Sequence, residues 1–417
     1  MRILPVCMAL GALSALYGAG EAVTVEQAVA EALKNNLSLL AERANIDIAR
    51  ARVLAAGLRP NPVVSAESNH VDMLGTGFDS LNAGGPTEIV FETEFTYERA
   101  GKRRLRVAVA EGERAVAELQ FRDAARGVVL EVQNAFVDAL HARRCLELAR
   151  ETLGTFNQIV EVNTARVRAG DLAEIELIRS RLAALQYQTS IRQAELRLRT
   201  ALIKLQTAMG RPRPSPTFDI TGDLRRDPIV PSLKEFQEAA LNSRPDLLAL
   251  ERDYQRAGAE LQSQIAQSKP DLTFGAQFIR QQVNAKANSL GFSVSMPIPL
   301  FNRNQGEIAR AQKERRQIEL RIAALRASIA AETETAYDQY LTARSLLESI
   351  EGSMLQEARD VRDITEYTYR RGQASLLELL DAQRAFNETM QAYIDARAEY
   401  ARSLYLLDSI SGKVPLP

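Results

Sequence analysis

His141 and Cys145 stand four positions apart, so on a helix an imidazole and a thiol would share one face, a spacing that can hold a metal ion. Two donors are too few for a site unless others join them. The sequence has only two histidines and two cysteines, and His70 lies far upstream of His141. It shows no Ser/His/Asp set, glycine-rich phosphate loop or cysteine cluster. The chain is therefore read as a non-enzyme, with no catalytic residues, no metal site and no cofactor. What remains chemically distinctive is a set of carboxylates, Glu176, Glu378 and Asp381, each a short way beyond a glycine turn, with Tyr369 and Arg370 just before the second turn.

Those turns belong to a duplication. Tyr369-Arg370-Arg371-Gly372 leads into Ser375-Leu376-Leu377-Glu378-Leu379-Leu380, as Val167-Arg168-Ala169-Gly170 leads into Ala173-Glu174-Ile175-Glu176-Leu177-Ile178. The offset is 202 and persists to Gly210 and Gly412. Upstream, Glu131, Ala135, Leu140, Ala142 and Arg143 recur as Glu332, Ala336, Leu341, Ala343 and Arg344 at an offset of 201. A period this long is a duplicated structural unit, not a solenoid array.

The bulk properties exclude some partners. Formal net charge is −1 in 417 residues, so nothing globally basic points to nucleic acid. Arg2 precedes an apolar stretch from Ile3 to Ala19 that ends in small residues, the layout of a secretory signal peptide over 1–22, cleaved near Gly20 or Ala22. A retained membrane anchor is the competing reading. Cys7 precedes most of the apolar run, the wrong side for a lipid-modified cysteine. Cleavage leaves Cys145 alone and rules out an internal disulfide. Beyond the signal there is no run of 18 apolar residues.

Each copy has the same element order. The first copy spans 23–211 and begins with a helix from Thr24 to Leu58, ended by Pro60 and Pro62; the second spans 232–412 and begins with Ser232 as cap and a helix from Leu233 to Gln267. Strands follow at about 62–70 and 87–97, and at about 271–280 and 289–297. In the best of them Leu272, Phe274 and Phe278 alternate with Thr273, Gly275 and Gln277. The connecting loops are 72–86, with Gly75, Gly77, Gly84 and Gly85, and the shorter 283–288. Strands of about 8 to 11 residues can cross a bilayer at a tilt. Four cannot close a barrel, and an open edge in lipid leaves backbone groups unpaired. A membrane-spanning sheet would therefore require oligomerisation; a soluble sheet with one buried face is the alternative.

Long helices come next, from about Lys102 to Arg168 and from about Gln305 to Arg370. At a rise of 1.5 Å per residue, 65 residues would reach roughly 100 Å if continuous. Heptad spacing marks their seams: Phe121, Val128, Ala135, Ala142 and Ala149, then Ile322, Ile329, Ala336, Ala343 and Ile350. After the turns at 170 and 372, shorter helices carry Leu177, Ala184, Ile191, Leu198 and Leu205, and Leu379, Phe386, Tyr393, Tyr400 and Leu407. Residues 212–231, rich in Pro and Asp, read as a linker, and 413–417 as a tail.

This order resembles the TolC-like outer-membrane efflux factor family over nearly the whole mature chain. The residues that carry the match are Tyr369-Arg370-Arg371-Gly372 with Leu379-Leu380-Asp381-Ala382-Gln383, and Met296-Pro297-Ile298-Pro299-Leu300-Phe301-Asn302-Arg303-Asn304-Gln305-Gly306. Ala100-Gly101-Lys102-Arg103-Arg104 and Asn302 to Gly306 look like the CzcC-like heavy-metal cation branch; both motifs also have a structural reading, as helix cap and lipid-headgroup contact. The resemblance implies an α+β membrane protein: a homotrimer whose twelve strands form one outer-membrane barrel, continued by a periplasmic α-helical barrel. It further implies a passive exit duct working with a periplasmic adaptor (membrane fusion protein) and an inner-membrane RND-type pump, in contact with outer-membrane lipid.

In that family, acidic residues matching Glu378 and Asp381 line the periplasmic entrance, so Glu176, Tyr369, Arg370, Glu378 and Asp381 are expected at the gate. The turns Gly170-Asp171-Leu172-Ala173 and Gly372-Gln373-Ala374-Ser375 are expected to dock the adaptor. Two alternatives stand beside this reading: the same fold in multidrug efflux or type I protein secretion, and a soluble periplasmic coiled-coil adaptor.

Overall fold

The computed structural model describes residues 22–71, 73, 75, 87–227, 231–282 and 286–413. The signal peptide up to 21, most of the loop at 72–86, residues 228–230 of the expected linker, the first half of the loop at 283–288 and the tail from 414 lie outside the described residues. The chain divides into two compact units. One comprises residues up to Leu40, Ala125–Phe236 and Thr333 onward; the other comprises Ala41–Ala124 and Gln237–Glu332.

The helix that opens each copy is broken, where the sequence suggested continuity. In the first, α1 (Val25–Asn35) gives way to α2 (Leu37–Ala56) at Asn36, which is extended at φ −64°, ψ 117°. Its side chain explains the break: Oδ1 accepts from the Leu39 amide at 3.1 Å, starting α2, while Nδ2 donates to the Ala208 carbonyl at 3.0 Å. In the second, α5 (Leu233–Ser243) stops at Arg244 and α6 (Pro245–Gln267) begins with proline, which pushes the preceding residue into extended geometry. Thr24 and Ser232 cap as expected.

The four strands form one antiparallel sheet in the order β1 (Val63–Asn69), β2 (Glu88–Tyr97), β3 (Leu272–Gln282), β4 (Lys286–Ser295). β3 and β4 reach closer together than expected, because Gln282 still pairs with Lys286. The register sorts the side chains. Phe91, Phe278 and Leu290 are cross-strand partners on one face, as are Phe95, Phe274 and Val294; Val64, Thr93, Ala276 and Phe292 lie between those two rows. On the opposite face are Ser65, Glu92, Gln277 and Gly291 in one row and Glu94, Gly275 and Ser293 in another. The apolar face is bare: Phe292 is 83% exposed and Leu290 73%.

α3 (Lys102–Ala169) runs 68 residues, with the part from Ala125 onward in the first unit, and reverses into α4 (Glu174–Ala208). The second hairpin runs α7 (Gln305–Ser349), a π segment (Ile350–Met354), α8 (Leu355–Arg370) and then α9 (Leu376–Ile410). The π segment corrects the expectation of a uniform helix and has a cause in the sequence. The seam steps by fours and threes through Ile329, Thr333, Ala336, Tyr340, Ala343, Leu347 and Ile350, then by five to Leu355, before Ala358, Arg362, Thr365 and Tyr369 resume. The Leu355 amide donates to the Ile350 carbonyl, five residues back. One extra residue is absorbed here, which accounts for the repeat offset changing from 201 upstream to 202 downstream.

The seam expected on α3 is also revised. Ala125, Val129, Val132, Phe136 and Ala139 are its buried stripe, whereas Phe121, Val128, Ala135 and Ala149 are only half-buried. A single heptad seam fails because α3 is packed on two sides. Val132 and Phe136 join α1 and Leu205 of α4, while Val137 joins Ala398, Ala401 and Tyr405 of α9. The segment expected as a linker is likewise packed: Phe218 and Ile220 are buried in the same cluster as Ala28 and Leu205. The Val23 amide donates to the Asp219 carbonyl at 3.1 Å.

Candidate functional site

All the residues expected at the gate and tips fall in the first of the two units. Both tips are built alike. Gly170 (φ +84°) and Gly372 (φ +76°) follow α3 and α8, and the next amides, of Asp171 and Gln373, donate back to the Arg166 and Thr368 carbonyls at 2.9 Å. This pattern satisfies the orphan carbonyls of a helix end and needs a left-handed residue, which glycine supplies without strain. The copies differ in how they restart. Ser375 forms a capping box with Glu378, whereas Ala173 makes no side-chain cap. Asp171, Ala173, Gln373 and Ser375 are exposed, and Leu172 and Ala374 half-buried.

The five gate residues have different surroundings. Asp381 is open, 58% exposed, with Arg384 at 3.5 Å. Glu176 pairs with Arg179 at 3.0 Å. The Glu378 carboxylate accepts from the Ser375 amide at 2.6 Å and its hydroxyl at 2.9 Å, and these bonds, the backbone one first, hold it below the usual carboxylate range. Arg370 is ion-paired to Glu366. Tyr369 is 2% exposed and packs with Phe156, Ile159 and Leu379. Its hydroxyl donates to Asn163 Oδ1 at 2.6 Å, and burial pushes its pKa up.

Asn163 and Arg166 of α3 were not singled out from the sequence, yet they hold Tyr369. Arg166 donates to the Tyr369 carbonyl at 3.4 Å and lies over its ring at 5.8 Å. The available signal was a polar residue continuing the spacing of Phe156 and Ile159, where an apolar one was due. One hairpin is thereby tied to the other within the chain.

The His141–Cys145 pair gains two neighbours from α9. His141 Nε2 meets Asp395 Oδ1 at 2.5 Å, the Cys145 sulfur lies 3.8 Å from His141 Nε2, and Gln391 Nε2 donates to that sulfur at 3.4 Å and to Asp395 at 2.8 Å. The Cys145 contact, against desolvation, and then Asp395 raise His141 to about 9. For Cys145 burial acts upward, but His141 and Gln391 outweigh it and the thiol is lowered. Among the described residues no group of three or more His, Cys, Asp or Glu is placed to hold a metal ion. The motif at Lys102 is also structural in part: Lys102 is buried against Asp271 at 2.7 Å. Ahead of α7, Asn302 Oδ1 accepts from the Asn304 amide at 2.9 Å and Asn304 Nδ2 donates to the Gln264 carbonyl at 2.8 Å.

The sheet supplies the other chemically distinct surface. Its polar face carries Glu67, Glu88, Glu92 and Glu94, and among the described side chains of the four strands no Lys, Arg or His shares that face. Among the described residues no helix is long and apolar enough to cross a membrane. An open four-stranded sheet with one bare apolar face, joined to paired helical hairpins in duplicate, defines a channel subunit of the TolC-like class.

The chain belongs to the outer membrane efflux protein family, whose sequence profile matches residues 28–211 and 237–413, one span in each copy. It is located in the outer membrane, as a component of a tripartite efflux pump, and the family comprises transport channels. It is 23% identical to the cobalt-zinc-cadmium resistance protein CzcC of Cupriavidus metallidurans over 94% of this chain and 90% of that one. To the pyoverdine export outer membrane protein OpmQ of Pseudomonas putida it is 25% identical, over 87% and 80%. Its fold matches the crystal structure of CusC with a TM-score of 0.75 and 18% identity, over 93% of this chain and 92% of that one. Outer-membrane membership sets aside the reading as a soluble adaptor.

Proposed function

We propose that three copies of this chain close a twelve-stranded barrel and form the passive exit duct of an RND-type pump that exports heavy-metal cations. The observation that carries this reading is the two-faced sheet. β1 and β4 are its edges, and in lipid their unpaired backbone groups would each cost several kcal/mol unless neighbouring subunits complete the ladder. Closure with the apolar face outward turns Glu67, Glu88, Glu92 and Glu94 of every subunit toward the lumen, a field that favours cations over anions. The similarity to CzcC supports the same cargo. In this reading the helices extend into the periplasm, the Gly170 and Gly372 turns receive a periplasmic adaptor, and Glu176, Tyr369, Arg370, Glu378 and Asp381 form the gate.

The similarity to OpmQ favours a second reading, the same duct serving organic molecules. A deletion strain separates the two. Lost tolerance to cobalt, zinc or cadmium, restored by the gene in trans, is the expected outcome; unchanged metal tolerance with lost drug tolerance moves the cargo to the second reading.

A further inference from the structure

In the unit that contains the sheet, a pocket of about 200 Å³ opens where β2 ends. Arg59 and Arg103 line it together with Pro60, Phe95, Tyr97 and Glu98. Phe95 and Tyr97 lie on the apolar face of the sheet, 40% and 55% exposed, so the pocket is continuous with the surface that meets hydrocarbon. Its charge is unbalanced. The Glu98 carboxylate is engaged by Arg106. Arg103 donates its Nε to the Gly57 carbonyl at 2.5 Å, and among the described residues neither Arg103 nor Arg59 forms an ion pair with a carboxylate. Two guanidinium groups beside aromatic rings, at the margin of an apolar band, complement a phosphate whose acyl chains lie along that band.

We propose that Arg59 and Arg103 form a binding site for the phosphate of a membrane phospholipid, with Phe95 and Tyr97 as the platform for its glycerol and upper acyl chain. The site rests on the reading of the sheet as lipid-facing. It gives the chain a fixed depth in the bilayer, since the phosphate plane is tied to the residue where β2 leaves the membrane. Neighbouring Arg104 is exposed and outside the pocket, which makes it a control for general surface charge.

Native mass spectrometry of the full-length protein in detergent tests the site with dioleoylphosphatidylglycerol, with dioleoylglycerol, which lacks the phosphate, and with inorganic phosphate as competitor. Phosphatidylglycerol should be retained in preference to dioleoylglycerol, and millimolar inorganic phosphate should leave it bound. Arg59→Gln and Arg103→Gln should each weaken retention about fivefold, and about 25-fold together, whereas Arg104→Gln should leave it unchanged. Equal retention of the two lipids by the unsubstituted protein overturns the proposal without reference to any variant. So does full displacement by inorganic phosphate, or an Arg104→Gln loss as large as the pocket variants give. Fractionation of the unsubstituted protein separates the two levels: recovery in the outer membrane with no lipid preference removes the site alone, and recovery elsewhere removes the lipid-facing reading with it.

Discussion

Glu378 serves the backbone before it serves any gate. Its carboxylate completes the capping box that starts α9, so removing the side chain would loosen the helix as well as the charge. The informative substitution is therefore Glu378→Gln, which keeps an acceptor, combined with Asp381→Asn. In planar bilayers this pair should raise conductance or shift cation selectivity; unchanged values of both would remove the two residues from the gate. Tyr369 illustrates what the sequence withheld. Its position before the turn was legible, but its partner Asn163 lies 206 residues away on α3, and nothing local announces that pairing. His141 was legible only as half of a pair, and the two α9 residues that complete its surroundings make it testable. Its raised value means a stabilising contribution complete below about pH 6.5 and lost as pH climbs through the folded value. Cys145, lowered, works in the opposite direction, so the two offset each other. Following the His141 ring protons across pH should show a midpoint well above that of a free imidazole, and Asp395→Asn should lower it; an unmoved midpoint would dismiss the contact.

At the scale of elements, the strands were readable because a period of two is visible even in short segments, and the register confirms the alternation residue by residue. The helix breaks at Asn36 and Arg244 were less so. Pro245 is a signal in its own right, but Asn36 breaks its helix through a bond to Ala208, a contact between distant segments. The end of α4 depends on the same junction. A Cβ at Gly210 would lie 2.5 Å from the Asn35 carbonyl oxygen and 2.7 Å from the Asn36 amide, at a φ of +82°. Gly210→Ala should therefore cost about 2 kcal/mol or more, as expected for a left-handed residue that also strikes backbone. Gly127, inside α3 with open space around it, provides the contrast: Gly127→Ala should stabilise by about 0.5–1 kcal/mol. Thermal unfolding in detergent measures both, and equal shifts would refute the packing argument.

For the whole molecule, the duplication was evident from the four glycines, and the structure repeats their geometry at Gly170, Gly210, Gly372 and Gly412, all left-handed. The second sides of α3 were not evident, because a helix gripped by several neighbours spreads its apolar positions over more than one heptad stripe. Cargo is the property written most faintly, since a conduit must release what it carries and has no deep site to advertise it. The glutamates of the polar sheet face are the part that can be tested directly. Glu92→Gln with Glu94→Gln should lower the preference for potassium over chloride in reversal-potential measurements; an unaltered ratio would take the strands out of ion selection.

The π segment at Ile350–Met354 has a consequence for how the two halves have been able to diverge. An added residue in an α-helix ordinarily swings everything beyond it by about 100°, which here would carry Tyr369 and Gly372 away from α3. By bulging a single turn, the chain confines the difference in length to five residues, and the far end of the hairpin keeps its rotational setting. The two copies can thus differ in length by one residue yet still meet at their tips.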